Sequence, residues 1–166
     1  MPKVPLHFTH NGEEKAEFID SGTTVLKLLR DKVGDLTPKA GCLQGTCGSC
    51  TVLIDGAPRL SCITLAEDCD GAAIATVAGL AADGRPHTLQ QAFLDHFAAQ
   101  CGFCTPGMLM AAAALLARAP NPSRDDVLDA LSGNICRCTG YEPIVQAVLA
   151  AAGSAASGAA PQQGAA

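Results

Sequence analysis

The groups in this chain with the most chemistry to offer are its nine cysteines among 166 residues. A thiolate is both a nucleophile and a soft metal ligand, so spacing and surroundings decide its use. Cys42, Cys47 and Cys50 lie together in GCLQGTCGSC, with Cys62 beyond them. Four more come as two pairs, Cys101 and Cys104 in AAQCGFCTPG and Cys136 and Cys138 in GNICRCTGY. Cys69, in EDCDG, stands apart.

The first set reads C-x4-C-x2-C followed by a distant fourth cysteine, the spacing of a plant-type [2Fe–2S] site. Gly41, Gly45 and Gly48 let such a loop turn backbone N–H groups toward sulfur. Hydrogen bonds of that kind tune a cluster's potential. Structural zinc is more usually held by paired short knuckles, which this run does not show. The pair Cys101 and Cys104 is less specific on its own. It would suit a redox dithiol, half of a zinc site or half of an iron–sulfur site. A thioredoxin-like dithiol needs a strand before the motif and a βαβ setting, whereas here helical patterns flank it. The C-x-C pair follows after thirty-one residues. Each pair precedes an expected helix, whose N-terminus favours negative charge.

Those motifs must be positioned by the elements around them. Val4, Leu6 and Phe8 alternate as a strand, Asn11-Gly12 signals a two-residue hairpin turn, and Ala16 and Phe18 lie on the returning strand. A helix follows from a Ser21–Thr24 cap to about Gly34. After the cysteine loop, Thr51–Ile54 and Arg59–Cys62 read as a hairpin turned by Asp55-Gly56, and Ala73–Val77 as a last strand. These elements predict an α+β domain over residues 1–78 and a linker over 79–87. The period then becomes helical, predicting a four-helix domain over 88–152. Its first helix spans Leu89–Ala99, a second is capped by Thr105 with Pro106 at its first position and runs to about Arg118, a third is capped by Ser123 and runs through Leu131, and a fourth runs from Glu142 to about Ala152. Residues 153–166 read as a low-complexity tail without a core-forming pattern.

Composition narrows the function classes. A net charge of −5 and a pI near 5.2 argue against nucleic acid. No apolar run reaches transmembrane length. The N-terminus, MPKVPLHFTHNGEEK, has neither an apolar signal core nor twin arginines, so the expected location is cytoplasmic. Disulfides are rare in that compartment. Aromatic residues are scarce, tryptophan is absent and alanine supplies much of the apolar count, so the core needs close helix packing or bound metal.

Taken together, GCLQGTCGSCTVLIDG with Cys62, then QCGFCTPGM, then GNICRCTGY, resemble the small iron–sulfur subunit of the molybdenum hydroxylases, the xanthine dehydrogenase, aldehyde oxidase and carbon monoxide dehydrogenase family. The likeness covers about residues 3–150. It implies an N-terminal β-grasp, plant-type ferredoxin domain and a C-terminal four-helix domain, each with one [2Fe–2S] cluster. By motif, Cys42, Cys47, Cys50 and Cys62 would ligate the distal cluster, and Cys101, Cys104, Cys136 and Cys138 the proximal one. Gln100 and Cys138 would lie against the molybdopterin cofactor. Electrons would pass from molybdenum through the proximal and distal clusters to FAD or another acceptor. The chain is too short for the molybdopterin and FAD domains and lacks their nucleotide motifs. The resemblance therefore implies a large molybdopterin subunit and a medium FAD subunit, in a heterotrimer or a dimer of heterotrimers. Substrate-binding catalytic residues would lie on another chain.

Other residues have blander readings. Cys69, among acidic neighbours, is expected to be structural, and Met108 and Met110 to be packing residues. None of His7, His10, His87 and His96 falls inside a cysteine motif. Arg137 could offset cluster charge. A free-standing two-cluster carrier and a zinc-stabilised interaction protein are the competing functions.

Overall fold

The structure is a computed structural model that describes residues 2–155, with side chains to residue 153. Residues 156–166, most of the expected tail, lie outside the described residues.

The first half is a five-stranded mixed sheet in the order β2-β1-β5-β3-β4. Strands β1 (Lys3–His10) and β2 (Glu13–Asp20) form the first hairpin. Asn11 and Gly12 both take positive φ, at 50° and 86°, as a tight turn matched to strand twist requires. That turn pairs Val4 with Ile19, Leu6 with Glu17 and Phe8 with Lys15. Residues opposite Leu6 and Phe8 share their face, so Ile19 enters the core while Phe18 is 66% exposed. The alternation through Ala16 and Phe18 therefore marks the outer face of β2.

Helix α1 (Val25–Lys27), capped by Thr24, continues into a π-helical turn, Leu28–Val33. Its Val25, Leu28 and Leu29 pack with Leu6, Phe8, Ile19, Val52 and Ile74 into the core of the first half. Strands β3 (Thr51–Ile54) and β4 (Ala57–Leu60) form the second hairpin, and β5 (Ala73–Ala75) joins the two hairpins, parallel to β1 and antiparallel to β3. This is the β-grasp arrangement of helix on mixed sheet. Cys62 lies two residues beyond β4, not on the returning strand.

The second half contains α2 (Thr88–Asp95), α3 (Thr105–Arg118), α4 (Arg124–Leu131) and α5 (Glu142–Ala155). Helix α2 ends earlier than its apolar stripe predicts, because Phe97 takes a left-handed φ of 53°. Helix α5 instead runs three residues past its expected end at Ala152. Ser123 and Asp126 cap α4 reciprocally. Leu89, Phe93, Met108, Leu115, Val127, Ile144 and Val148 fill the helical core. Alanines at 111, 112, 147 and 151 are buried among them and let the helices approach closely. Val77 and Leu80, from a 3-10 turn (Val77–Leu80) at the expected linker, pack on this core too.

The halves meet where α3 crosses β3 and β4. A Cβ placed on Gly107 of α3 would come within 2.2 Å of the Gly48 carbonyl oxygen. Gly48 in turn lies against Gly133 and Asn134, at the end of α4. The buried Asn134 amide donates to the Gly48 carbonyl at 3.0 Å, and the Ile135 N–H to the Cys47 carbonyl at 2.9 Å.

A polar knot anchors the stem of the cysteine loop. Asp35 accepts from the Thr37 hydroxyl at 2.6 Å and the Thr76 hydroxyl at 2.6 Å, and lies 3.0 Å from His10 Nε2. Asn11 ties the same Thr76 to the hairpin turn. Burial pushes the Asp35 carboxyl up, but the Thr37 and Thr76 hydroxyls, the Thr37 N–H and His10 together hold it below its ordinary 3.8. A carboxyl lowered in the folded state stabilises the fold above its unfolded pKa, and that contribution is lost as pH falls through the folded value. Asp35→Asn is therefore expected to lower stability at neutral pH and to flatten its fall below about pH 4. Urea unfolding from pH 7 to pH 3 measures both; a parallel acid limb would refute the assignment.

Candidate metal centres

The two cysteine sets are built alike. In the first, the glycine-rich loop before β3 carries Cys42, Cys47 and Cys50, and the turn after β4 carries Cys62. Cys50 and Cys62 are buried; Cys42 and Cys47 lie nearer the surface. In the second, Cys104 caps α3 and Cys101 precedes it, while Cys136 and Cys138 lie in the turn between α4 and α5. Cys104 and Cys136 are buried, and Cys101 and Cys138 exposed. Each set thus has an inner and an outer pair.

Sulfur contacts follow the same division. Cys42 lies beside Cys47, and Cys62 beside Cys50. Cys104 touches Cys136, and the Cys138 and Cys101 sulfurs are 3.6 Å apart. No three His, Cys, Asp or Glu side chains among the described residues converge on one point as ligands of a single ion would. Sulfurs gathered two by two fit a two-iron cluster, with two thiolates on each iron, better than one tetrahedral ion.

The thiols have unequal surroundings. The Thr46 hydroxyl and the backbone N–H groups of Gln44 and Thr46 hold Cys42 down to about 5. Burial and the neighbouring Cys50 push Cys62 up to about 11. Burial and Cys136 likewise push Cys104 up to about 12. A buried thiol of this kind becomes a thiolate only with a cation to neutralise it, and a coordinating metal does that outright. Donor type, pairing and burial all fit iron–sulfur clusters.

Both halves match family models. Residues 7–89 match a 2Fe-2S iron-sulfur cluster binding domain, and residues 76–149 a [2Fe-2S] binding domain. The chain is 44% identical to the nicotinate dehydrogenase small FeS subunit of Eubacterium barkeri, over 89% of its own length and 94% of the relative's. It superposes with a TM-score of 0.90 on a chain of quinoline 2-oxidoreductase from Pseudomonas putida 86, at 46% identity, covering 94% of this chain and 98% of that one. This chain is a small iron–sulfur subunit of the molybdenum hydroxylase family. It therefore serves electron transfer within an oxidoreductase complex and carries two [2Fe–2S]-binding domains. In the aldehyde oxidoreductase of Desulfovibrio desulfuricans ATCC 27774, the counterpart of the small subunit is part of a much longer chain. The match there has a TM-score of 0.89 and 38% identity, covering 92% of this chain and 17% of that one.

The remaining candidates fall in distinct places. Gln100 is exposed beside exposed Cys101. Arg137 is also exposed, between Cys136 and Cys138. Cys69 is buried in the first core, its Sγ 3.6 Å from the Leu65 carbonyl, away from both sets. Met108 and Met110 are buried. Thr105 does not cap α3, as Thr105-Pro106 led one to expect; Cys104 holds that position and the Thr105 hydroxyl is buried without a partner. Sequence reading missed Thr139 and Tyr141. The Thr139 hydroxyl donates to Cys136 Sγ, and the Tyr141 hydroxyl accepts from the Cys136 N–H. Their only sequence signal was position, directly after the C-x-C pair. No helix among the described residues is long and apolar enough to cross a membrane.

Proposed function

We propose that the chain carries electrons from a molybdopterin centre on a large partner subunit to FAD on a medium one. Electrons enter at the Cys101–Cys138 edge and leave at the Cys42–Cys47 edge. The observation that supports this best is the arrangement of the pairs: each site turns one pair outward and buries the other. When bound, a [2Fe–2S] cluster supplies a one-electron redox centre held by four thiolates. On this reading Cys42, Cys47, Cys50 and Cys62 would hold the distal cluster, with Cys42 and Cys47 on its outer side. Cys101, Cys104, Cys136 and Cys138 would hold the proximal one, with Cys101 and Cys138 on its outer side.

The chain's own backbone then joins the sites. The Cys47 carbonyl accepts from the N–H of Ile135, the residue next to Cys136. One hydrogen bond thus links the first cysteine loop to the second without a gap through solvent. Gln100 and Cys138, both exposed, form the edge that faces the pterin. Substrate chemistry belongs to the large subunit, and the assembly is a heterotrimer or a dimer of them.

The test is analytical and compositional. Reconstituted full-length chain is expected to hold about four irons and four acid-labile sulfides, with two distinct EPR signals on reduction. Co-expression with molybdopterin and flavin subunits is expected to give one co-eluting complex in which substrate reduces both clusters. Stoichiometric zinc without labile sulfide would sink the cluster assignment. A chain that keeps its clusters yet never associates would leave a free-standing electron carrier in its place.

A further inference from the structure

Three hydrogen bonds from one turn close around Cys136. The Thr139 hydroxyl donates to Cys136 Sγ at 3.1 Å. The same oxygen accepts from the Tyr141 N–H at 3.2 Å. The Tyr141 hydroxyl oxygen then accepts from the Cys136 N–H at 3.0 Å. The ring begins and ends on Cys136, and it is drawn shut by Gly140 and Tyr141, both at φ 70°. A bulky residue rarely adopts that conformation. Tyr141 is held in it from both sides, because its carbonyl also accepts from Val145 at the start of α5.

The two side chains act on Cys136 in opposite senses. Thr139 adds a donor to the sulfur. Tyr141 takes up the Cys136 N–H, so that N–H is not free to donate to sulfur. A donor at a cluster sulfur disperses negative charge, and the reduced cluster carries one more negative charge than the oxidised one. Each such donor therefore favours reduction and raises the potential.

We infer that Thr139 and Tyr141 are positioning residues that set the potential of the proximal cluster against each other, Thr139 raising it and Tyr141 lowering it. This rests on the reading of Cys136 as a cluster ligand. The device has a partial counterpart at the first site, where the Thr46 N–H donates to Cys42 Sγ at 3.2 Å.

The experiment is a redox titration of the reconstituted full-length chain followed by EPR, with the proximal signal identified as the one missing from Cys104→Ser. Thr139→Val is expected to shift the proximal potential to more negative values, and Thr139→Ser to return it to that of the unsubstituted chain. Tyr141→Phe is expected to shift it to more positive values. The distal potential should stay in place in all three. An unshifted Thr139→Val, or a Tyr141→Phe shift in the same direction as Thr139→Val, overturns the inference. If Thr139→Val fails to retain iron, Tyr141→Phe decides alone, and a negative shift or none overturns it. Iron and sulfide in the unsubstituted chain test the underlying reading separately. A chain without two clusters refutes that reading, whereas full loading without opposite shifts refutes only the opposed tuning.

Discussion

Gly107→Ala is expected to destabilise the chain by about 3 kcal/mol, although alanine is the better helix former. In an open helix the exchange would stabilise by roughly 0.5–1 kcal/mol. Here the new methyl would lie 2.2 Å from the Gly48 oxygen and 3.1 Å from the Gly48 carbonyl carbon and Ser49 Cα. Those are backbone atoms and cannot swing aside as a side chain would. Room could come only from lifting α3 off the first cysteine loop. That movement would also strain the Asn134 bond to the Gly48 carbonyl and the Ile135 bond to the Cys47 carbonyl. Overpacking of a tight site costs about 1–3 kcal/mol by itself, and the strained interface bonds add to it. Gly153 on α5 is the control, because nothing lies within 4 Å of its added Cβ. Gly153→Ala is expected to be neutral, so near the end of the helix, or to stabilise by up to about 1 kcal/mol. Urea unfolding of both variants checks the contrast, and equal effects would show that the helix–loop approach is not close. In the cluster-loaded chain Gly107→Ala should also slow electron exchange between the two sites, which freeze-quench EPR can follow.

Cys104→Ser is expected to cut bound iron from about four to about two per chain, with labile sulfide falling in step. Cys104 is buried against Cys136 at the head of α3, so nothing else nearby can replace its sulfur. Its thiol is pushed up to about 12 without metal, and serine ionises still less readily at such a buried point. The first set has its own loop and hairpin and should keep its cluster and EPR signal. Cys69→Ala is the matching control. That thiol is also buried but lies in the first core, away from both sets. It should retain about four irons and lose about 1 kcal/mol of stability through the missing sulfur. Loss of iron from Cys69→Ala would mean that the ninth cysteine belongs to a site. Full iron in Cys104→Ser would remove Cys104 from the proposed ligands.

Much of this was readable from the order of residues. The Asn11-Gly12 turn, the helix from Thr105 to Arg118 and the Ser123 cap all rest on interactions within a few positions, so local chemistry decides them. The three cysteine motifs carry ligand type and spacing in the same way, and the family likeness follows from those motifs. Positions that depend on a partner strand or helix were harder to read. Phe18 is legible as part of the returning strand, but only the hairpin register, which puts Ile19 opposite Val4, decides that it faces outward. Thr105 looks like a cap until Cys104 takes that place. The length of α2 depended on where Phe97 would turn the chain.

By itself, then, the sequence determined which sulfurs are available, their division into two sets and the kind of element around each, because all of these are local properties. Only the tertiary structure decided how the sets sort into inner and outer pairs, that Cys47 and Ile135 join them, and that Thr139 and Tyr141 close on Cys136. The joining contact depends on two glycines, Gly48 and Gly107, far apart in sequence and pressed backbone to backbone. No periodicity announces such an approach, because it arises only when the helix and loop compete for the same few ångströms.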